Sequence, residues 1–359
     1  MSVDQRGMEM QRLSGRERIL TALRRGQPDV VPHMELWFSP AVAEKIVPGG
    51  SIEDVTEYLD IDGIAYYTVS MEKYEILDGP KGIIRDKWGV IKRDTGQTTP
   101  HPIGAPVRSE KDLESYKPPD PDDPSRYEPL KKMVGRFKGE RAIVAILEQP
   151  FMRVNEIRGA QEHFMDMIVN PNLILRLNDI VVAHHLKVIK NFIEIGADVI
   201  GFSGDLATKD GPMASPRHLE KFGIAPLGRL VQFAHQQGLP CILHSDGNIL
   251  PIMELLLSSG GIDGLHPIDP VAGLDIGVMK EKYGNRVCLI GSIDCGPLMI
   301  WGTKEQVRQA VKENIRKAGQ GGGLIAASSH SIQPKTKPEN YIEMVRAIRE
   351  YGKYPLSLD

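Results

Sequence analysis

Short apolar runs that stop on an imidazole or a carboxylate recur along this chain, each followed by a helix-like segment. The sharpest case is Pro240-Cys241-Ile242-Leu243, which runs into His244-Ser245-Asp246-Gly247-Asn248. Leu324-Ile325-Ala326-Ala327 runs likewise into Ser328-Ser329-His330-Ser331. Buried strands that end in polar chemistry are the pattern of an α/β barrel mouth. Eight runs qualify: Val30–Met34, Gly63–Val69, Ala142–Leu147, Asp198–Ser203, Pro240–His244, Gly261–His266, Arg286–Gly291 and Gly323–Ala327. Their alternation with helix patterns predicts α/β architecture, a single (β/α)8 TIM barrel over residues 1–359, in preference to an open doubly wound sheet.

Two capping boxes fix helix starts: Ser14-Gly15-Arg16-Glu17, followed by Ile19, Leu20 and Leu23 on one face, and Thr303-Lys304-Glu305-Gln306, which opens Thr303–Ala318. The rhythm breaks at Lys81–Ile103. There Ile83 to Ile91 and Arg93 to Gly96 read as a β-ribbon with no helix between its strands. A Pro- and Asp-rich loop, Lys117–Pro124, follows. The region, about 81–128, is expected to be an insertion between strands 2 and 3 of one barrel domain. Gly321-Gly322-Gly323 reads as a tight αβ turn on the opposite rim.

The formal net charge of −3 makes no case for a nucleic-acid partner. No apolar stretch is long enough to span a bilayer, and Met1–Arg12 is unlike a secretory leader. Three cysteines cannot build a disulfide framework, and Cys241 and Cys288 fall inside strands, so the expected location is cytoplasmic. Neither G-x-G-x-x-G after the first strand, nor a P-loop, nor G-x-S-x-G is present.

The residues at or just past the strand ends are Glu35, Glu148-Gln149, Asp205, His244 and Asp246, His266 and Asp269, Asp294-Cys295, and His330. Any one alone is explained by a helix cap or a solvated loop; together they predict one shared site. Strand alternation turns His244 and Asp246 to the same side, and a third ligand from another strand would complete a catalytic zinc site. The competing reading is an Asp that fixes a histidine tautomer without metal. Cys295 is the one strand-end thiol, otherwise a small buried hydrophobe. His184-His185 sits in a helix pattern with its side chains about 100° apart, which favours a structural role. His33, His101, His163, His218 and His235 show no partner pattern.

Several stretches resemble the uroporphyrinogen decarboxylase superfamily: Gly15-Arg16-Glu17-Arg18-Ile19 with Asp29-Val30-Val31-Pro32, Glu194 to Asp198, Gly204-Asp205 with Ser215-Pro216, His244 to Asn248, Gly291 to Asp294, Trp301-Gly302-Thr303, and Pro338-Glu339-Asn340. The resemblance covers nearly the whole chain and implies a barrel with its site at the strand C-termini. The decarboxylases carry an arginine-rich run (W-x-M-R-Q-A-G-R-like) after the first strand for the substrate's carboxylates. Here that place reads Met34-Glu35-Leu36-Trp37-Phe38-Ser39-Pro40, and Glu35 would repel an acidic tetrapyrrole.

The chain is more similar to the branch of zinc-dependent methyltransferases that work with corrinoid proteins. Their zinc motif is H-x-C plus a later Cys; here the matching positions are His244, Asp246 and His330, so both thiolates are replaced. That set implies a harder, more Lewis-acidic zinc, suited to a methoxy substrate better than to a thiol. The chain carries no D-x-H-x-x-G corrinoid signature, so a corrinoid would arrive on a separate protein. The expected roles are metal ligation by His244, Asp246 and His330, catalysis by Asp205, Glu148 and Asp246, and substrate binding by Glu35, Trp37, His266 and Asp294. The alternatives are a metal-free, decarboxylase-like lyase acting on a small carboxylic acid and a non-catalytic ligand-binding barrel. The partners foreseen are a small-molecule substrate, the corrinoid protein and a second copy of the chain.

Overall fold

The computed structural model describes residues 12–68, 74–95 and 100–357. At its centre is a curled sheet of seven parallel strands, paired in chain order: β1 (Gly63–Tyr67), β2 (Ala142–Glu148), β3 (Val199–Ser203), β4 (Cys241–His244), β5 (Gly264–His266), β6 (Cys288–Ile293) and β7 (Leu324–Ser328). Val69, expected to end the second run, lies outside the described residues, as does the stretch Met1–Gln11.

Val30–Met34 is not a full strand. Its residues make only single bridges, among them His33 with Ala326 in the parallel sense. The segment still reaches both edges of the sheet: Ala326 N–H donates to the Pro32 carbonyl (2.9 Å) and Asp62 N–H to the His33 carbonyl (3.0 Å). Side chains supply further rungs. Asp62 Oδ2 accepts from His33 N–H at 2.8 Å, and Glu35 Oε1 accepts from Ser328 N–H at 3.0 Å. Pro32 has no N–H to give a ladder, which is one reason the pairing breaks. A seam of mixed backbone and side-chain bonds thus joins β7 to β1 and completes the barrel.

Alternation along the strands produces two cores. Ala142, Val144 and Ile146 of β2, Ile242 of β4, Ile290 of β6 and Ile325 and Ala327 of β7 pack inside the sheet with Ile19, Leu20 and Leu23 of the first helix, Gly15–Leu23. That helix, begun by the expected Ser14–Glu17 box, plugs the N-terminal end of the barrel. The intervening residues, such as Ile143, Ala145 and Leu147, face the surrounding helices. Burial on both faces is why the strands read as nearly unbroken apolar runs. The three glycines 321–323 all have positive φ, and a Cβ on Gly322 would meet the Gly26 carbonyl oxygen at 2.0 Å, so the tight turn before β7 requires glycine.

The sheet of the insertion is larger than the small ribbon expected from sequence. Glu75–Asp78, Ile83–Arg85, Ile91–Arg93 and His101–Gly104 form a four-stranded antiparallel sheet, which begins before Lys81. Gly96, the last residue of the expected ribbon, is outside the described residues. The ribbon is fastened to the barrel by buried charges. Lys92 Nζ lies 2.9 Å from Glu156 and 3.3 Å from Asp86; Arg153 reaches Asp86 (3.3 Å), Glu156 (3.0 Å) and Glu148 (2.5 Å). Among the described residues, no helix is long and apolar enough to cross a membrane.

Candidate active site

The parity that puts Ile146 and Ile242 inside the barrel carries on to Glu148 and His244 at the strand ends. Ser203 pairs in register with both Glu148 and His244, and His244 pairs with His266. Of these, Glu148, Ser203 and His244 help form the floor of a cavity of about 1540 Å³ at the C-terminal mouth. Tyr67, Glu148, Asp205, His244, Asp246 and His330 line its floor, and the ribbon walls one side with Lys92, Arg93, His101 and Ile103.

His244, Asp246 and His330 converge although β4 and β7 are far apart in sequence. One ligand atom from each lies within 4.8 Å of the others. His330 Nε2 is 2.9 Å from Asp246 Oδ2, and His244 Nε2 is 3.8 Å from Asp246 Oδ1. Asp246 Oδ1 is buried without a hydrogen-bond partner. The turn that presents this carboxylate depends on Gly247, whose φ is 88° and whose Cβ would lie 2.6 Å from the Thr208 carbonyl oxygen. Asp205 Oδ1 accepts the Asp246 N–H at 2.9 Å and so braces the same turn.

Burial and neighbours separate the charges. Burial pushes the His244 imidazole down to about 4, so it is neutral near pH 7. Burial opposes the charge on His330 as well, but Asp246, with Asp205 and Asp269, outweighs it and raises that imidazole. Asp246 is desolvated, yet the His330 hydrogen bond and His244 hold it below the usual carboxylate range. Burial, then the Asp246 charge, raises Asp205. Glu148 is pushed up to about 7 by burial, against the pull of Arg153. Beside it, the Tyr67 hydroxyl and Ser203 Oγ are 2.6 Å apart. The floor therefore holds neutral and anionic groups side by side, an arrangement able to ligate a divalent cation or to move protons.

The other sequence candidates separate. Trp37 lines the cavity. Glu35 does not: it is buried, with Oε2 accepting from Ser328 Oγ at 2.6 Å, and it serves the seam. His266 lies wholly buried behind His244, the two Nδ1 atoms 2.7 Å apart. Asp294 accepts from the N–H groups of Gly296 (2.8 Å) and Leu298 (3.1 Å), at the start of the helix Pro297–Trp301. Cys295 is half-buried outside the cavity lining, its thiol raised by burial. His184 and His185 contact each other through Nδ1 at 3.0 Å and pack against Trp88, while His185 Nε2 donates to the Glu148 carbonyl at 2.8 Å. His235, Cys241 and Asp263 also cluster, at the other end of β4; Asp263 Oδ2 already accepts from His235 Nε2 and Cys241 N–H, both at 2.7 Å.

Sequence reasoning missed Tyr67, Ser203 and Met152 in the cavity lining. Ser203 ends its run, so the strand-end rule would have found it had hydroxyls been counted beside charges; Tyr67 ends the observed strand but falls two residues short of the end of the run Gly63–Val69, and so escapes that rule.

Comparison with known proteins agrees with this architecture. The uroporphyrinogen decarboxylase of Alkalilimnicola ehrlichii is 24% identical over 261 residues, spanning 68% of this chain and 67% of that protein. The uroporphyrinogen decarboxylase of Geobacter sulfurreducens is 23% identical over 260 residues, 69% of this chain and 72% of its own. Among solved structures, a methyltransferase from Methanosarcina mazei superposes with a TM-score of 0.74 at 21% identity, covering 94% of this chain and 99% of that one; at this identity the likeness is one of fold. The family model for uroporphyrinogen decarboxylase (URO-D) matches residues 91–351, most of the barrel and its mouth. The chain belongs to the uroporphyrinogen decarboxylase family.

Proposed function

We propose that the chain is a methyltransferase that binds zinc through His244, Asp246 and His330 and passes a methyl group between a small substrate and a corrinoid carried by a separate protein. The observation that carries the reading is Asp246 Oδ1, a buried carboxylate oxygen without a hydrogen-bond partner, beside two imidazoles. A buried acceptor left unpaired is costly, and a cation would satisfy it. The fold shared with the Methanosarcina mazei methyltransferase supports the same reading.

Bound there, zinc would act as a Lewis acid toward a substrate heteroatom, and an ether oxygen suits an N/O ligand set. The chain's own groups have separable tasks. Asp205 braces the Asp246 turn through its N–H and faces the cavity. Glu148, raised to about 7, is suited to hold or release a proton at its carboxyl oxygen as a leaving group changes charge. Trp37, Leu36 and Met152 offer apolar surface to the body of the substrate.

Elemental analysis of the purified chain tests the reading, with about one zinc per chain expected. Occupancy should collapse in His244→Ala, Asp246→Ala and His330→Ala. Wild-type protein without stoichiometric transition metal after zinc supplementation refutes it. A metal-free lyase in which Asp205, Asp246 and His330 handle protons would then lead.

A further inference from the structure

The helix Pro171–Ile195 sets two adjacent histidines, His184 and His185, against the end of β2, and both are buried. Three hydrogen bonds run through them in series. Arg126 Nη1, in the turn Pro124–Arg126, lies 3.4 Å from His184 Nε2. The two Nδ1 atoms are 3.0 Å apart, and His185 Nε2 is 2.8 Å from the Glu148 carbonyl oxygen.

The two ends of the series decide where each proton sits. A guanidinium only donates and a carbonyl oxygen only accepts. His185 therefore carries a hydrogen on Nε2, and His184 Nε2 presents a lone pair to Arg126. Were either ring doubly protonated, two donors would face each other, at Arg126 or between the rings. With both rings neutral, His184 Nδ1–H donates to His185 Nδ1, and every gap holds one proton. Burial acts in the same sense, lowering both imidazoles, His185 to about 3.

The bond to Glu148 falls where the sheet stops supporting β2. On the β1 side, the last backbone rung among the described residues is Thr68 N–H to the Ile146 carbonyl, at 3.1 Å. The Glu148 carbonyl, two residues on and so on the same side, takes its hydrogen from His185. The Glu148 carboxylate is held separately, by Arg153. Trp88 of the ribbon joins the two anchors. Its edge-on contacts to His184 and His185 have centroids 4.5 and 5.7 Å apart, and the Arg153 guanidinium lies 5.0 Å over its ring.

We propose that His184 and His185 are positioning residues, a relay of neutral rings from Arg126 to the Glu148 carbonyl that fixes the end of β2 and so aims the Glu148 carboxyl into the cavity. The relay transmits position without bringing a positive charge to Glu148. The charges that face this carboxyl are Arg153 and Glu156 of the helix Pro150–Arg158 and Lys92 and Asp86 of the ribbon, with the Tyr67 hydroxyl beside them. The catalytic value of the relay rests on the proton-holding role given to Glu148 above, whereas the relay itself does not.

Nitrogen-15 NMR of the histidine rings in the metal-free full chain reads the tautomers directly. His184 should be protonated at Nδ1 and His185 at Nε2; either hydrogen on the other nitrogen overturns the proposal. Carbon-13 NMR of glutamate-labelled protein, with Glu148→Gln identifying the signal, follows the Glu148 carboxyl through its titration, at about 7 in the wild type. His185→Phe loses the N–H to the Glu148 carbonyl. Its midpoint should move by about one unit or more toward the ordinary carboxylate range, as the freed strand end lets water reach the carboxyl. His185→Gln, whose amide can donate to the same carbonyl, should restore the wild-type midpoint. Folded His185→Phe protein with an unchanged midpoint overturns the proposal, because a pair that only fills space would leave Glu148 unmoved. Should His185→Phe not fold, the wild-type nitrogen spectrum decides. Both readouts are taken without metal, so they stand whether or not the chain takes up zinc.

Discussion

Replacing Glu35 by Gln should make the protein's stability less sensitive to alkali, because this carboxyl is kept protonated by its surroundings. Burial pushes it up to about 8 from 4.5, although both Ser328 hydrogen bonds favour the charged form. A carboxyl raised on folding contributes stability that is fully present below the unfolded value and is lost as pH rises through the folded one. Each pH unit between those two values removes about 1.4 kcal/mol, so the loss reaches about 3 kcal/mol by pH 7 and about 5 kcal/mol above pH 8. Gln is neutral throughout and can keep both partners, its carbonyl accepting the Ser328 N–H and its amide donating to Ser328 Oγ. Urea unfolding of metal-free wild type and Glu35→Gln across about pH 5 to 9 isolates the effect, since other titrating groups cancel in the difference. The variant should gain on the wild type by about 3–5 kcal/mol over that range. A difference that stays constant within about 1 kcal/mol refutes the account of Glu35 as a buried, proton-holding part of the seam.

Three further outcomes can be stated. Arg153→Met should cost about 3–5 kcal/mol in denaturant unfolding, because it removes the cation paired with buried Glu148 and leaves Lys92 alone to balance Asp86 and Glu156; a loss below about 1 kcal/mol would mean the network does not bind the ribbon to the barrel. Asp294→Ala should cost about 1 kcal/mol, as for a lost helix cap, with zinc content and activity unchanged; a large fall in substrate affinity would return Asp294 to the binding role expected from sequence. Zinc affinity should weaken first through His330, whose imidazole is raised, while His244 stays neutral down to about 4; affinity that is flat from about pH 8 to 5 contradicts this order.

Much of the fold was legible because strand burial on both faces leaves an unmistakable trace. The runs that became β1 to β7 are apolar at nearly every position and stop where the mouth begins. The first run misled for a local reason: Pro32 breaks the ladder, and the bonds that replace it come from Asp62 and Glu35, side chains whose partners a linear reading cannot assign. Glu75–Asp78 went unseen as a strand because three of its four residues are exposed, which erases alternation. At the site, the pairing of His244 with Asp246 followed from parity, the strand-end position of His330 put it at the same mouth, and the family resemblance singled it out as their companion. Whether a strand-end polar residue faces the cavity, a helix start or another side chain is set by how each loop turns, and that separates Asp205 from Asp294 and His244 from His266. Lys92, Arg153 and Glu156 lie on separate elements or one turn apart, so their shared burial left no sequence mark.

The seam between β7 and β1 also constrains when the molecule can become whole. Glu35 meets Ser328 at a sequence separation of 293, and His33 meets Ala326 at the same separation. During synthesis the first half of this joint waits exposed until almost the last strand has been made, and contacts so distant in sequence are the slowest to form. Until then the chain presents an open sheet with two unpaired edges, and the edge of β1 is the one available longest to a wrong partner. The joint that completes the site is therefore also the point where a growing chain is most exposed to misassembly.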